Sequence, residues 1–140
     1  MISLFNENKL PSDFVDTFKS WEEEIKDAFL TYILMDTKEL DNEQYNYLTN
    51  KLNLRKGYNG IIKFTYYLII LQRAKKLEDE IKNDLIEFLG TIGRINYLRE
   101  LYPAFYRRDK DAALETFEKY KNFYHPMVVK YIELEFKKLS

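Results

Sequence analysis

The amino-acid sequence predicts an all-α fold: an α-α superhelix of seven to eight helices, in the form of an armadillo- or HEAT-like right-handed solenoid with two layers. Apolar residues recur every three or four positions along most of the chain, which is the period of an amphipathic helix. The connections between these segments are short, and short connections stack successive antiparallel helices as a bundle or as a solenoid. So many helices in 140 residues favour the solenoid. A chain of this length is expected to form a single helical domain, residues 1–140.

Charge and composition exclude several classes of function. The 22 basic and 23 acidic side chains give a net charge of −1 and are interleaved along the chain. A nucleic-acid-binding protein usually carries a basic stripe, so no nucleic-acid partner is expected. The absence of cysteine excludes disulfides and thiolate metal sites. A zinc site needs three or four ligands, and the chain has a single histidine, so no metal-binding residue is predicted.

The start of the chain and its most apolar run indicate where the protein resides. The first residues lack the basic region and the long apolar run of a signal peptide. The most apolar segment, residues 61–71, contains Lys63 and is well short of the roughly 20 residues needed to span a bilayer. We therefore expect a cytoplasmic protein with no membrane partner.

The first helical segment covers residues 12–35. Ser12 follows Pro11 and is the predicted N-cap. The pattern leaves open whether the segment is one helix or two. Its apolar stripe consists of Phe14, Phe18, Trp21, Ile25, Phe29 and Tyr32.

The next segment begins at Asp41, the predicted N-cap of a short helix. Tyr45, Leu48 and Leu52 are expected to point inward from this helix. A loop over residues 57–60 then follows.

The run of residues 61–74 is apolar on more than one face. Its β-branched and aromatic residues also suit a strand. About 14 residues without a turn signal is long for a strand and normal for a helix, so a helix is predicted. Its broad apolar surface indicates a helix with neighbours on both sides.

The second half of the chain begins with a further amphipathic helix. Gly90 and Gly93, just before Arg94, are interpreted as the place where this helix relaxes and ends. A shorter helix from about Ile95 to Arg107 is expected to be perturbed at Pro103. The apolar stripe of the first of these helices is Leu77, Ile81, Leu85, Phe88, Leu89 and Ile92.

Two helices complete the prediction. Asp109 opens the first, and the break at His125 and Pro126 separates it from the last, because proline suits the first turn of a helix. We expect the His125 ring to cap a neighbouring backbone group. The residues predicted to point inward are Ala113, Phe117, Tyr120, Tyr124, Val128, Ile132 and Leu139.

Motifs of hydrolytic chemistry are missing from the sequence. A single histidine cannot supply HExxH, and neither a GxSxG nucleophile elbow nor a phosphate-binding loop is present. The acidic run Glu22, Glu23 and Glu24 is typical of a solvated helix face. No catalytic residue is predicted, and the chain alone is expected to be inactive.

Two segments of the second half resemble a known family. Residues 87–105 and 109–132 are similar to the C-terminal helical domain of zinc aminopeptidases of the leukotriene A(4) hydrolase type, which are gluzincins. The similarity covers roughly residues 45–139, and its specificity lies in a combination of short motifs. These are Phe88-Leu89, Gly93-Arg94, Leu98, Leu101-Tyr102, Ala112-Ala113 and His125-Pro126.

The resemblance implies a function shared with a second domain. In this family an α-α superhelix closes one side of an active-site cleft, while zinc and the glutamate base lie in a separate thermolysin-like domain. The implied partners are that catalytic domain, in cis or in trans, and a peptide substrate with a free carboxylate. A monomer is expected, and zinc is expected only in the catalytic domain.

The resemblance also assigns substrate-binding residues. By position, Arg94 is the arginine that binds the substrate carboxylate, and the planar guanidinium suits two parallel hydrogen bonds. Asn96 stands where the family has a lysine, which keeps hydrogen-bond donors and loses the second charge. Without the resemblance, Arg94 would be read as a cation near a helix C-terminus. Tyr97, Tyr102 and Tyr124 are interpreted as packing residues.

A second class of function remains open from the sequence. Helical solenoids bind proteins or peptides on their concave face. The alternative is therefore a free-standing helical-repeat scaffold that binds a protein or peptide.

Overall fold

The computed structural model describes residues 2–36 and 39–140. Over these residues the chain forms nine α-helices and no strand, which confirms the all-α prediction. The ninth helix, beyond the seven or eight predicted, is the N-terminal turn α1, which is too short to show a periodic pattern. The helices are α1 (Ile2–Asn6), α2 (Phe14–Ser20), α3 (Glu23–Asp36), α4 (Asn42–Asn46), α5 (Gly60–Arg73), α6 (Asp79–Thr91), α7 (Ile95–Arg108), α8 (Lys110–Tyr120) and α9 (Pro126–Leu139).

Two shorter helical turns extend these elements. A π-helical turn over Tyr47–Lys51 continues α4, and a 3-10 turn over Lys121–Phe123 continues α8. The chain divides into two compact units, Met1–Lys76 and Leu77–Ser140, called unit 1 and unit 2 below. In the described part of the chain, every helix is too short or too polar to cross a membrane.

Unit 1 is built on the packing of α3 against α5, with α1 against α3. Its core is an aromatic cluster in which neighbouring ring centroids lie 5.3–6.4 Å apart. Aromatic pairs at such distances stabilise a core beyond the area they bury. The cluster consists of Phe5, Phe14, Phe18, Trp21 and Phe29.

The segment of residues 12–35 is two helices. The backbone of Trp21 is extended (ψ 154°), which ends α2 and changes the rotational phase before α3 begins. Ile25 and Tyr32 are therefore exposed, contrary to the single-stripe prediction. The Ser12 cap is also wrong, because Asp13 holds the N-cap position of α2 and its side chain makes no capping hydrogen bond.

The cap of α4 is confirmed. The Asp41 carboxylate accepts a hydrogen bond from the Gln44 backbone N–H at 2.8 Å, and the Gln44 side chain accepts one from the Asp41 N–H at 2.9 Å. The bond from the Gln44 N–H to the ionised carboxylate holds the pKa of the Asp41 carboxyl below its usual value. Leu48 and Leu52 are fully buried, as expected.

Residues 60–73 form α5, which excludes the strand alternative. Asn59 caps this helix by accepting a hydrogen bond from the Ile62 N–H at 3.2 Å. The helix buries residues on more than one face, in agreement with the sequence pattern. The buried residues are Ile62, Thr65, Tyr66, Tyr67, Leu68, Ile69, Ile70 and Leu71.

Unit 2 is centred on α7, which packs against both α8 and α9. Asp109 separates α7 from α8 and caps α8 by accepting a hydrogen bond from the Ala112 N–H, as predicted. The helix α7 continues through Pro103. At the start of α9, His125 Nδ1 accepts a hydrogen bond from the Met127 N–H at 3.1 Å, which confirms the predicted cap.

Helices α7 and α9 run in the same direction. The ring of Tyr102 packs against Phe136 with centroids 6.0 Å apart, and the Tyr106 hydroxyl lies 3.1 Å from Ser140 Oγ. Both pairs are separated by the same 34 residues, so the two helices keep one register along their length. The N-termini of α7 and α9 therefore lie at the same end of unit 2.

Candidate functional site

Arg94 occupies the N-cap position of α7. Its backbone is extended (φ −72°, ψ 121°), and its carbonyl accepts hydrogen bonds from the N–H groups of Tyr97 and Leu98. The side chain makes no capping hydrogen bond and is exposed. At this position a cation gains nothing from the dipole of α7, because the N-terminus of a helix is its positive end.

The guanidinium of Arg94 has one aromatic neighbour on its own helix. Its central carbon lies 5.8 Å from the centroid of the Tyr97 ring. Such a contact favours a side-chain position over the ring while leaving the N–H groups available to a ligand.

Asn96 lies two residues further on, exposed in the first turn of α7. The backbone N–H groups of a first helical turn have no acceptor within the helix, and a helix N-terminus attracts anions. The structure therefore places the two predicted substrate-binding residues within one turn, and together they form an anion-attracting end of the helix.

Two side-chain hydrogen bonds satisfy carbonyl groups at the end of α6, just before Arg94. The Tyr124 hydroxyl donates a hydrogen bond to the Leu89 carbonyl oxygen at 2.6 Å, and the Thr91 hydroxyl donates one to the Phe88 carbonyl at 2.9 Å. These are carbonyls of the last helical turn, which the helix itself leaves without donors. The bond from Tyr124 thereby ties the end of α6, which leads to Arg94, to the segment just before α9.

Gly90 lies inside α6, close to its end, and it makes room for an aromatic ring. A Cβ atom at this position would lie 2.4 Å from Cε1 and Cζ of Tyr120. At Gly93, by contrast, a Cβ atom would meet nothing within 4 Å. The lack of a side chain at Gly90 therefore allows the Tyr120 ring to pack against α6. Only Gly93 lies in the connection between α6 and α7.

Two buried tyrosines support this arrangement. Tyr102 and Tyr124 are buried as predicted, and their hydroxyl oxygens are 2.7 Å apart. The Tyr124 hydroxyl donates its one proton to the Leu89 carbonyl, so the Tyr102 hydroxyl must be the donor in the bond between the two tyrosines. Burial raises the pKa of Tyr124 to about 12, and burial followed by donation to Tyr124 raises the pKa of Tyr102.

Exposed apolar side chains lie at the same end of unit 2 as Arg94. Phe123 is 81% exposed, Met127 72% and Ile95 40%. Phe123 and Met127 flank the start of α9, and Ile95 starts α7, so the common direction of the two helices brings them to one end. We call the set Arg94, Ile95, Asn96, Phe123 and Met127 the Arg94 end face.

The histidine and acidic side chains do not cluster in the described part of the chain. Among residues 2–36 and 39–140, no three histidine or acidic side chains come close enough together to hold a metal ion. The Arg94 end face itself carries a cation, an amide and three apolar side chains, which suit anion binding and apolar contact.

The sequence reasoning identified Arg94 and Asn96 and missed the contacts that hold them. Gly90 is 30 positions from Tyr120, and Leu89 is 35 from Tyr124, so no local pattern links them. Phe123 and Met127 are not among the residues predicted to point inward. Their position outside the apolar stripes was the feature of the sequence that could have identified them as exposed.

Comparison with known proteins identifies the family. The family described as "Leukotriene A4 hydrolase, C-terminal" matches residues 21–136. Leucine aminopeptidase 2 of Coccidioides immitis is 33% identical over 100 residues, which cover 71% of this chain and 16% of the relative. Leucine aminopeptidase 2 of Pyricularia oryzae is 36% identical over 107 residues, which cover 76% of this chain and 17% of the relative.

This chain aligns with about a sixth of the length of these curated relatives. No solved structure matches it significantly. The family match covers most of the chain and includes both Arg94 and Asn96. The chain is therefore a member of the leukotriene A4 hydrolase C-terminal family.

Proposed function

We propose that this chain is the helical C-terminal domain of a zinc aminopeptidase, that it closes one side of the active-site cleft, and that Arg94 binds the free carboxylate of a peptide substrate. Both units belong to this one domain, residues 1–140, and the family match across both supports this. The names of the relatives support an aminopeptidase. Zinc and the hydrolytic residues lie in a catalytic domain outside these 140 residues.

The observation that carries the proposal is the exposed Arg94 at the N-terminus of α7. The guanidinium donates two parallel hydrogen bonds to a carboxylate, and the Asn96 amide offers a further donor without a second charge. Ile95, Phe123 and Met127 supply the apolar surface at which the end face meets the catalytic domain. The domain positions the substrate and takes no part in bond cleavage.

The test uses the enzyme that contains this chain together with its catalytic domain, as one polypeptide or as a complex. Arg94→Ala should raise KM about tenfold for short peptides with a free C-terminus, the size expected for one charge-assisted contact. Peptides ending in an amide should show little change, because only the carboxylate contact is lost.

Arg99→Ala is the matched control, because Arg99 is an exposed arginine five residues further along the chain, in α7. This variant should leave KM for both substrates unchanged. Equal effects of Arg94→Ala on acid and amide substrates would identify Arg94 as a structural residue and contradict the proposal.

The 140-residue chain alone should bind no zinc and hydrolyse no peptide. Stoichiometric zinc in the purified chain would overturn the assignment of catalysis to another domain. Specific binding of a protein, with no effect on any catalytic domain, would instead favour the helical-repeat scaffold.

A further inference from the structure

Unit 1 contains a cavity whose lining combines apolar, amide and charged side chains. Its volume is about 330 Å³, within the range of small-molecule sites. Phe5, Leu10 and Tyr47 contribute apolar surface, and Asn8 and Asn46 contribute amides. A cavity of this composition suits a small ligand with one apolar side chain and a polar backbone.

Two opposite charges complete the lining. Glu43 lies in the first turn of α4, and Lys51 ends the π-helical turn. Both are exposed, and neither forms an ion pair with any residue in the described part of the chain. The cavity therefore presents an anion and a cation that are not neutralised by the protein.

The walls of the cavity are held in place by polar contacts. The Asn8 side chain donates a hydrogen bond to Asp41 Oδ2 at 2.8 Å, and its backbone is in the left-handed region (φ 59°). The Gln44 side chain donates to the carbonyl oxygens of Phe5 and Asn6, both at 3.3 Å. These bonds join the N-terminal segment to α4 and fix the opening between them.

The π-helical turn contributes the first and last of its residues, Tyr47 and Lys51, to the lining. The Lys51 ammonium lies 5.7 Å from the centroid of the Tyr47 ring. A π-helical turn is rare and is found frequently at functional sites. Here it forms one wall of the cavity.

The distance between Glu43 and Lys51 limits the length of a ligand that can contact both charges. Glu43 and Lys51 are eight positions apart on continuous helix, about 12 Å between backbones at a rise of about 1.5 Å per residue. A free amino acid carries its ammonium and carboxylate on one carbon and is too short to meet both side chains. An extended dipeptide separates its ends by about 7 Å, which leaves a gap that the two side chains span.

We propose that this cavity binds a dipeptide with free termini and an apolar side chain. Glu43 binds the ammonium, Lys51 binds the carboxylate, and Phe5, Leu10 and Tyr47 contact the apolar side chain. Part of the lining lies in residues 1–20, before the family match begins at residue 21. The proposal concerns unit 1 alone and does not depend on the role of Arg94.

The test is a titration of the 140-residue chain with leucylglycine, followed by amide chemical shifts in NMR spectra. Saturable shifts are expected at residues around Asn46 and Lys51. Glu43→Gln and Lys51→Met should each weaken binding about threefold to fivefold, as expected for one exposed ion pair. Glu24→Gln and Lys19→Met are matched controls, because both residues are exposed in unit 1 and neither lines the cavity.

Two further ligands test the charge requirement. N-acetyl-leucylglycinamide, which has no charged terminus, and free leucine should both bind more weakly than leucylglycine. Equal binding of either compound, or the absence of saturable shifts with leucylglycine, would overturn the proposal. Circular dichroism of each variant shows whether a loss of binding reflects a loss of fold.

Discussion

The hydroxyl of Tyr124 donates a hydrogen bond of 2.6 Å to the carbonyl oxygen of Leu89, five residues before Arg94. This buried contact joins the segment after α8 to the end of α6, close to the start of α7. The same hydroxyl accepts the proton of Tyr102, so one side chain serves two buried polar groups. The position of the candidate site thus depends on packing inside unit 2.

Tyr124→Phe should lower the free energy of unfolding by about 1–3 kcal/mol. The variant leaves the buried Leu89 carbonyl without its donor and the Tyr102 hydroxyl without its acceptor, and unsatisfied buried groups carry this cost. Urea denaturation of the 140-residue chain, followed by circular dichroism, measures the change.

The matched control is Tyr131→Phe, because Tyr131 is half-buried on α9 and its hydroxyl bonds to no residue in the described ranges. This control should change stability by less than about 0.5 kcal/mol. A Tyr124→Phe variant as stable as the control would show that the hydrogen bond to Leu89 contributes nothing.

The tyrosine pair should also affect stability at high pH. The pKa of Tyr124 is raised to about 12, and that of Tyr102 is raised as well. Below pH 10 both side chains are protonated in the folded and unfolded states, and their contribution to stability is complete. Between about pH 10 and pH 12 the unfolded chain releases these protons first, so the free energy of unfolding falls as pH rises.

The measurement for this prediction is urea denaturation at several pH values from 9 upward. The Tyr102→Phe, Tyr124→Phe double variant lacks both groups, so its stability should fall less steeply above pH 10 than that of the wild type. Parallel curves for the two proteins would mean that the buried pair does not titrate differently from exposed tyrosine.

Gly90→Ala should destabilise unit 2 by roughly 1 kcal/mol. The new Cβ atom would displace the ring of Tyr120 at a cost of about 1–3 kcal/mol. Alanine in a helix recovers about 0.5–1 kcal/mol of this cost. Thermal and urea denaturation of the 140-residue chain measure the net change.

The effect of Gly90→Ala on stability should reverse in a variant that lacks the Tyr120 ring. In Tyr120→Ala, where the ring is absent, Gly90→Ala should stabilise the chain by about 0.5–1 kcal/mol because only the helix term remains. Gly93→Ala, where a Cβ atom meets nothing, should not destabilise the chain. The same loss in both Tyr120 backgrounds would exclude the ring as the cause.

The sequence predicted the local features of the fold and missed those that depend on distant residues. Asp41, Asp109 and His125 were identified as caps because each bonds to a backbone group only two or three residues away. The break at Trp21 was left open, since neither proline nor glycine marks it. The consequence was the wrong assignment of Ile25 to the buried face.

At the candidate site, too, the local features were predicted and the long-range contacts were not. The resemblance identified Arg94 and Asn96, since a short motif places them beside Gly93. The contact between Tyr124 and Leu89 joins residues 35 apart, and no local spacing pattern around either residue predicts it. The role of Gly90 was likewise hidden, because the ring it accommodates belongs to a helix that follows α7.

Asn96→Lys should strengthen carboxylate binding in the enzyme that contains this chain. The substitution adds the cation that the family resemblance implies two residues after Arg94, so KM for peptides with a free C-terminus should fall by about threefold to fivefold. KM for the corresponding amides should not change. Steady-state kinetics with matched acid and amide peptides measure both effects.

Asn96→Lys should also lower the stability of the fold, so its effect on substrate binding and its effect on folding can be measured separately. A lysine in the first turn of α7 is repelled by the positive end of the helix dipole, so the free energy of unfolding should fall by about 0.3–1 kcal/mol. Asn96→Gln, which keeps the amide and adds no charge, should show neither effect. If Asn96→Lys lowers stability and leaves KM for free-acid peptides unchanged, then the first turn of α7 does not face the substrate carboxylate, and Arg94 would lose its proposed role as well.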